Sequence, residues 1–167
     1  MNWIKKNRRL VALLGLLAVV AGLGLFLPEQ HDHNNVEGIK IEKIEFDSYR
    51  NELAQSKEEA LGKEFVLIEF FSYRCKFCKQ SIPALNELNK HEKLSVIGYS
   101  MMGGKKAKKY AKEYGVAYTL SRPSQEYMKI FNPVTVPMSF LIDSKTLEVK
   151  AKFTGMIVES EVLSYLK

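Results

Sequence analysis

Residues 65–79 read FVLIEFFSYRCKFCK, and this stretch decides the fold. Phe65 to Phe71 is a nearly continuous apolar run of strand length, the pattern of a strand covered on both faces of a sheet. Cys75-Lys76-Phe77-Cys78 then opens a segment whose apolar residues Ile82, Leu85 and Leu88 recur at helical spacing, with Pro83 expected to kink the helix. A C-x-x-C pair between a buried strand and a helix start carries redox meaning. Unpaired N–H groups and the dipole of a first helical turn stabilise an anion. With Lys76 and Arg74 adding positive charge, the Cys75 thiolate is expected to form below the pKa of about 8.5 of a free cysteine. Cys75 is therefore the candidate nucleophile. Cys78 is the candidate resolving thiol, which closes an intramolecular disulfide and releases a mixed-disulfide partner. A structural disulfide and half of a shared metal site remain as alternatives. The first gains little entropy from so short a loop, and no other cysteine or well-placed histidine completes the second.

Outward from this stretch the apolar pattern alternates between two periods. Ile39, Ile41, Ile44 and Phe46 suggest a short strand, and Asp47-Ser48 can cap a helix carrying Leu53, Ala54, Ala60 and Leu61. Leu94 to Ser100 reads as the next strand, and Lys105 to Tyr114 as a lysine-rich helix packed through Ala107, Tyr110, Ala111 and Tyr114. A short strand near Val116 to Leu120 and a helix over Gln125 to Phe131 follow. Then come a strand over Met138 to Asp143, a turn, a strand over Glu148 to Thr154 and a helix over Val158 to Leu166. Strands separated by helices pair in parallel through right-handed crossovers, and the late strand pair with its short turn is antiparallel. The expected class is α/β, with a mixed central sheet flanked by helices.

The chain has 167 residues, enough for one folded domain plus appendages, and its 26% charged and 11% aromatic residues exclude wholesale disorder. Two cysteines exclude a disulfide-dense scaffold. The formal charge of +6 is concentrated at one end, where residues 1–9 carry Lys5, Lys6, Arg8 and Arg9 and no acid. Leu10 to Leu27 follows, made only of Leu, Val, Ala, Gly and Phe. This is the pattern of a single transmembrane signal anchor over residues 10–27, with the basic segment 1–9 in the cytoplasm and the rest outside. A cleaved secretory signal is the alternative. Both place the main domain where disulfides persist. Residues 28–38 read as a linker, in which His31 and His33 lack a third ligand. The remaining charge is nearly balanced and makes no case for nucleic acid.

The phrase Glu69-Phe70-Phe71-Ser72-Tyr73-Arg74-Cys75-Lys76-Phe77-Cys78-Lys79, with Val136-Pro137 and the strand-turn-strand-helix ending, resembles the thioredoxin superfamily over residues 39–167. The anchor and compact length are similar to the TlpA/ResA/DsbE group of extracytoplasmic thiol-disulfide oxidoreductases. That resemblance implies a thioredoxin fold, protein disulfides or thiols as substrates, no cofactor and no metal. It also implies that Pro137 is cis and faces the cysteines, with the backbone of Val136 pairing to an extended substrate. Glu69, an acid in an apolar strand, is expected to be neutral or paired, and to shuttle the proton of the resolving thiol. The phrase around Cys75 also resembles DsbA-type oxidases. Their large helical insertion has no room here, because Pro137 follows Cys75 by only 62 residues. Reduction of disulfides, for example in cytochrome c maturation, implies a membrane electron donor of the DsbD/CcdA kind, and oxidation a quinone-linked partner. A copper chaperone of the Sco type would need C-x-x-x-C and a distant histidine, whereas no histidine follows His91. A membrane-tethered binding module using the lysine-rich helix is the remaining reading.

Overall fold

The computed structural model describes residues 36–46 and 55–167. The expected anchor, the basic segment, His31 and His33, and Asp47 to Ala54 lie outside the described residues. Among the described residues no helix is long and apolar enough to cross a membrane.

The elements run α1 (Lys57–Leu61), β1 (Phe65–Phe70), α2 (Lys76–Lys90), β2 (Leu94–Tyr99), α3 (Gly104–Tyr114), β3 (Thr119–Ser121), α4 (Gln125–Phe131), β4 (Met138–Asp143), β5 (Val149–Thr154) and α5 (Glu159–Leu163). The strands form one sheet in the order β3-β2-β1-β4-β5. β1 pairs in parallel with β2, and β2 with β3, while β4 runs antiparallel to both β1 and β5. The mixed α/β sandwich expected from the sequence is the observed architecture.

The central strand β1 alternates between two cores, as a period of two requires. Leu67 and Phe71 face Ile82, Leu85 and Leu88 of α2 and Ala107, Tyr110 and Ala111 of α3. Val66, Ile68 and Phe70 face the opposite way, onto Tyr127 and Phe131 of α4. α2 runs unbroken as helix through Pro83. Its buried Asn89 donates from Nδ2 to the Ala117 carbonyl (3.1 Å) and accepts the Val96 N–H at Oδ1 (2.9 Å). Nearby, Lys63 Nζ donates to the carbonyls of Asn89, His91 and Leu94 at 3.2, 2.8 and 2.9 Å.

Two sequence expectations need correction. The segment 39–46 is not a strand: it makes a single bridge, Lys40 to Glu148, beside β5. Ile41 and Ile44 are both buried, yet they are three residues apart, so no extended strand could turn both to one face. The segment is instead held by backbone hydrogen bonds, Ile41 N–H to the Leu147 carbonyl and Val149 N–H to the Ile39 carbonyl, both 2.9 Å, and by tyrosine side chains of β2 and α4. Tyr99 Oη donates to the Glu45 carbonyl, and Tyr127 Oη to that of Lys43 at 3.2 Å. Nor does one helix run from Asp47 to Leu61. Ser56 starts α1 with its own capping box: its Oγ accepts the Glu59 N–H at 3.1 Å, while Glu59 Oε2 accepts the Ser56 N–H at 2.8 Å.

Candidate functional site

The register brings the site together. Phe70 of β1 lies opposite Met138 of β4, so Pro137, just before β4, falls beside the loop that follows β1. β2 is parallel to β1 and ends at the same edge, which adds the loop after Tyr99.

Cys75 is the N-cap of α2, with extended backbone (φ −76°, ψ 117°), and its Sγ accepts the Cys78 N–H at 3.1 Å. Sulfur thus occupies the place where a capping oxygen satisfies the first turn of a helix. No acid stands in that turn. The two cysteines form a disulfide with a Cα–Cα distance of 5.3 Å. They differ in access: Cys75 is half-buried, while Cys78 is buried among Leu67, Phe71 and Ile82. The accessible sulfur is the one an incoming partner can reach. Lys76 is exposed, and the Arg74 guanidinium lies over the Tyr73 ring, 5.3 Å from its centroid.

The Val136–Pro137 peptide bond is cis. The Val136 carbonyl oxygen lies 3.6 Å from Cys75 Sγ, and the Pro137 carbonyl accepts the Gly155 N–H at 3.0 Å. The backbone of Val136 therefore borders the Cys75 sulfur.

Glu69 is buried, and it shares the face of β1 that Leu67 and Phe71 present to Cys78. Its Oε2 accepts from Tyr118 Oη at 3.5 Å, and its Oε1 has no partner among the described residues. Burial pushes its pKa up to about 8, with the Tyr118 hydrogen bond pulling weakly the other way. The neighbouring Tyr118 and Tyr110 hydroxyls are pushed up by burial and then by the Glu69 charge.

The sequence reading missed Tyr118 and Gly98. Gly98 sits in register with Glu69, and a Cβ there would come within 2.9 Å of Leu120 Cδ2, 3.0 Å of Tyr118 Cε2 and 3.1 Å of Phe71 Cε1. The missing side chain lets the Tyr118 ring lie against the strand beside Glu69. A glycine inside an apolar strand is the signal that could have pointed there.

Among curated proteins, the chain is 28% identical over 96 residues to the thioredoxin-like protein YneN of Bacillus subtilis. That match covers 54% of this chain and 56% of the relative, so the chain spans little more than half of that protein. Among solved structures it is similar to a Chlorobium tepidum protein described as a candidate thiol:disulfide interchange protein DsbE, with a TM-score of 0.62 at 20% identity. That similarity covers 78% of this chain and 98% of the other. A thiol-disulfide isomerase from Corynebacterium glutamicum gives a TM-score of 0.55 at 21% identity, over 79% and 94% of the two chains. These similarities identify the fold as thioredoxin-like. The family model described as "TraF: F plasmid transfer operon protein" matches residues 38–166, and the chain belongs to that family.

Proposed function

We propose that the protein is a thiol-disulfide oxidoreductase whose working couple is Cys75 and Cys78. The observation that carries this reading is the half-buried Cys75 sulfur, capping α2 in a disulfide with buried Cys78 and bordered by the cis Val136–Pro137 bond.

In the reducing direction the Cys75 thiolate attacks one sulfur of a substrate disulfide. That S–S bond breaks, a Cys75–substrate disulfide forms, and the first substrate thiolate leaves and takes a proton from water. Cys78 then gives its proton to the Glu69 carboxylate and attacks Cys75 Sγ, which breaks the mixed disulfide and releases the second substrate thiolate, and this too takes a proton from water. The substrate gains two electrons and two protons, and the protein dithiol becomes a disulfide. A carboxyl with a pKa of about 8 lies near working pH, so it can both accept and return that proton. The Val136 backbone is the expected pairing edge for an extended substrate. Lys76 and the helix terminus favour the Cys75 thiolate.

The reducing direction is supported by the segment between Cys78 and Pro137, which holds only α2, β2, α3, β3 and α4, with no inserted helical domain. With residues 10–27 as a membrane anchor and the domain outside the cytoplasm, electrons would come from a membrane donor. Cytochrome c maturation is one such setting. A second, oxidising reading is favoured by the Cys78 N–H held on Cys75 Sγ, because stabilising the thiolate stabilises the reduced protein.

Cys78→Ser in the full chain should trap mixed disulfides on Cys75, visible as thiol-sensitive adducts. Their complete absence would remove the oxidoreductase reading. The reduction potential and the thiol state in cells fix the direction. A pair that is fully oxidised in cells, with a potential near roughly −120 mV, would overturn the reductase assignment.

A further inference from the structure

A groove of about 310 Å³ runs beside the redox loop. One wall is made by residues that flank the cysteines, Tyr73 and Lys79, and the other by Lys106, Lys109 and Tyr114 of α3. The five lysines of α3 therefore divide. Lys105, Lys108 and Lys112 are exposed away from the groove, whereas Lys106 and Lys109 join Lys79 in lining it.

Two of these cations rest on aromatic faces. Lys79 Nζ lies 4.5 Å from the Tyr114 ring centroid and Lys106 Nζ lies 5.7 Å from that of Tyr73, the same ring that carries Arg74. The tyrosine wall is itself braced, with the Tyr110 and Tyr114 rings 4.9 Å apart and Tyr110 lying 5.3 Å from Phe71. Ion pairs such as Lys90 with Glu87, Lys93 with Glu64 and Lys150 with Glu148 lie elsewhere. Within the groove Glu113 is the one carboxylate facing three lysines. Like charges gathered along one concave surface hold a positive potential that an anion relieves.

We propose that this groove docks an acidic segment of the protein substrate, adjoining the cysteine that exchanges with Cys75. The inference rests on the exchange reaction proposed above and adds the class of substrate it prefers. Carboxylates meet Lys79, Lys106 and Lys109, while the apolar parts of the segment lie on Tyr73 and Tyr114. Tyr73 is two residues before Cys75, and Lys79 directly follows Cys78, so the occupant sits within a few residues of the reacting sulfur. An extended chain advances roughly 3.3 Å per residue, which lets a short acidic run reach the groove from the substrate cysteine. A lipid surface suits a broad apolar face better than a concave site shared with the redox loop.

The test uses the reduced full chain in a non-ionic detergent and three disulfide-linked reporter peptides of one length. Their cysteines are flanked by Asp and Glu, by Asn and Gln, or by Lys. At low salt the acidic peptide should exchange about tenfold faster than the neutral one, the lower end of electrostatic steering, and the basic one should be slowest. That ratio should fall to about one in Lys106→Gln/Lys109→Gln and at high salt, and persist in Lys108→Gln/Lys112→Gln. A ratio preserved in both double variants, or lost equally in both, overturns the groove as the docking site. Vesicles containing phosphatidylglycerol that bind the wild type but not Lys106→Gln/Lys109→Gln, with the peptide ratio unmoved, assign the groove to lipid and overturn the proposal. Exchange without charge preference removes only the docking subsite, whereas failure of all three peptides to exchange removes the oxidoreductase reading with it.

Discussion

At Glu69 the two oxygens of one carboxyl meet different surroundings: Oε2 accepts from Tyr118, while Oε1 is buried without a partner among the described residues. Its burial gives the group two measurable signatures. Below about pH 4.5 the carboxyl is protonated in both the folded and the unfolded chain. Between there and about 8 the unfolded chain has lost the proton and the folded one keeps it, so stability falls as pH rises through this window. The slope approaches about 1.4 kcal/mol per pH unit for one proton. Glu69→Gln retains an acceptor for Tyr118 and carries no charge, so its urea midpoints should lose this slope. The same variant should lengthen the lifetime of the Cys75 mixed disulfide by about 100-fold in single-turnover experiments. An unchanged lifetime would take Glu69 out of the proton transfer. Glu69 was legible because an acid inside FVLIEFF has few ways to exist. Its partner was not, because Tyr118 is 49 residues away and looks like any core tyrosine.

At the scale of elements, α2 positions the chemistry at its first turn and is secured at its far end. Asn89→Leu leaves the Val96 N–H and the Ala117 carbonyl without their side-chain partner, which should cost roughly 2 to 4 kcal/mol in chemical denaturation. A loss below about 0.5 kcal/mol would mean that water replaces both bonds. The apolar pattern made α2, α3, α4, β1, β2 and β4 readable, because each helix presents one apolar face to a single core, while each of the three strands is apolar on both faces and feeds both cores. Segment 39–46 misled for a physical reason. Its Ile41 and Ile44 fill the space against β4, β5 and α4 while Ile39 stays exposed, and its hydrogen bonds come from tyrosine hydroxyls and from the backbone at Leu147 and Val149 rather than from a continuous ladder.

For the whole molecule, the register of the sheet assembles the C-x-x-C pair, the cis-proline and the groove at one edge, while Phe70 packs against Tyr99, Phe131 and Phe140 on the other face. The cysteines and Pro137 could be read from the sequence, but the division of the α3 lysines could not. That division depends on how the helix rotates about its buried Ala107, Tyr110 and Ala111. The proposed address is tested on the intact chain in cells. An uncleaved anchor keeps the protein in the membrane pellet after an alkaline wash, and an outside domain is digested by protease added to spheroplasts. Release by the wash would point to a cleaved signal, and protection from protease would overturn the topology.

The three carbonyls gathered by Lys63 give α2 one clamped end and one working end. Converting disulfide to dithiol alters covalent bonding only where the helix begins, so the response should die out along its length. Amide hydrogen exchange can read that gradient residue by residue. Amides near Lys79 and Ile82 should change their protection between the two redox forms, while those of Leu88 and Asn89 keep the same rate. Equal changes at both ends would mean that the helix moves as a rigid rod and that the clamp travels with it.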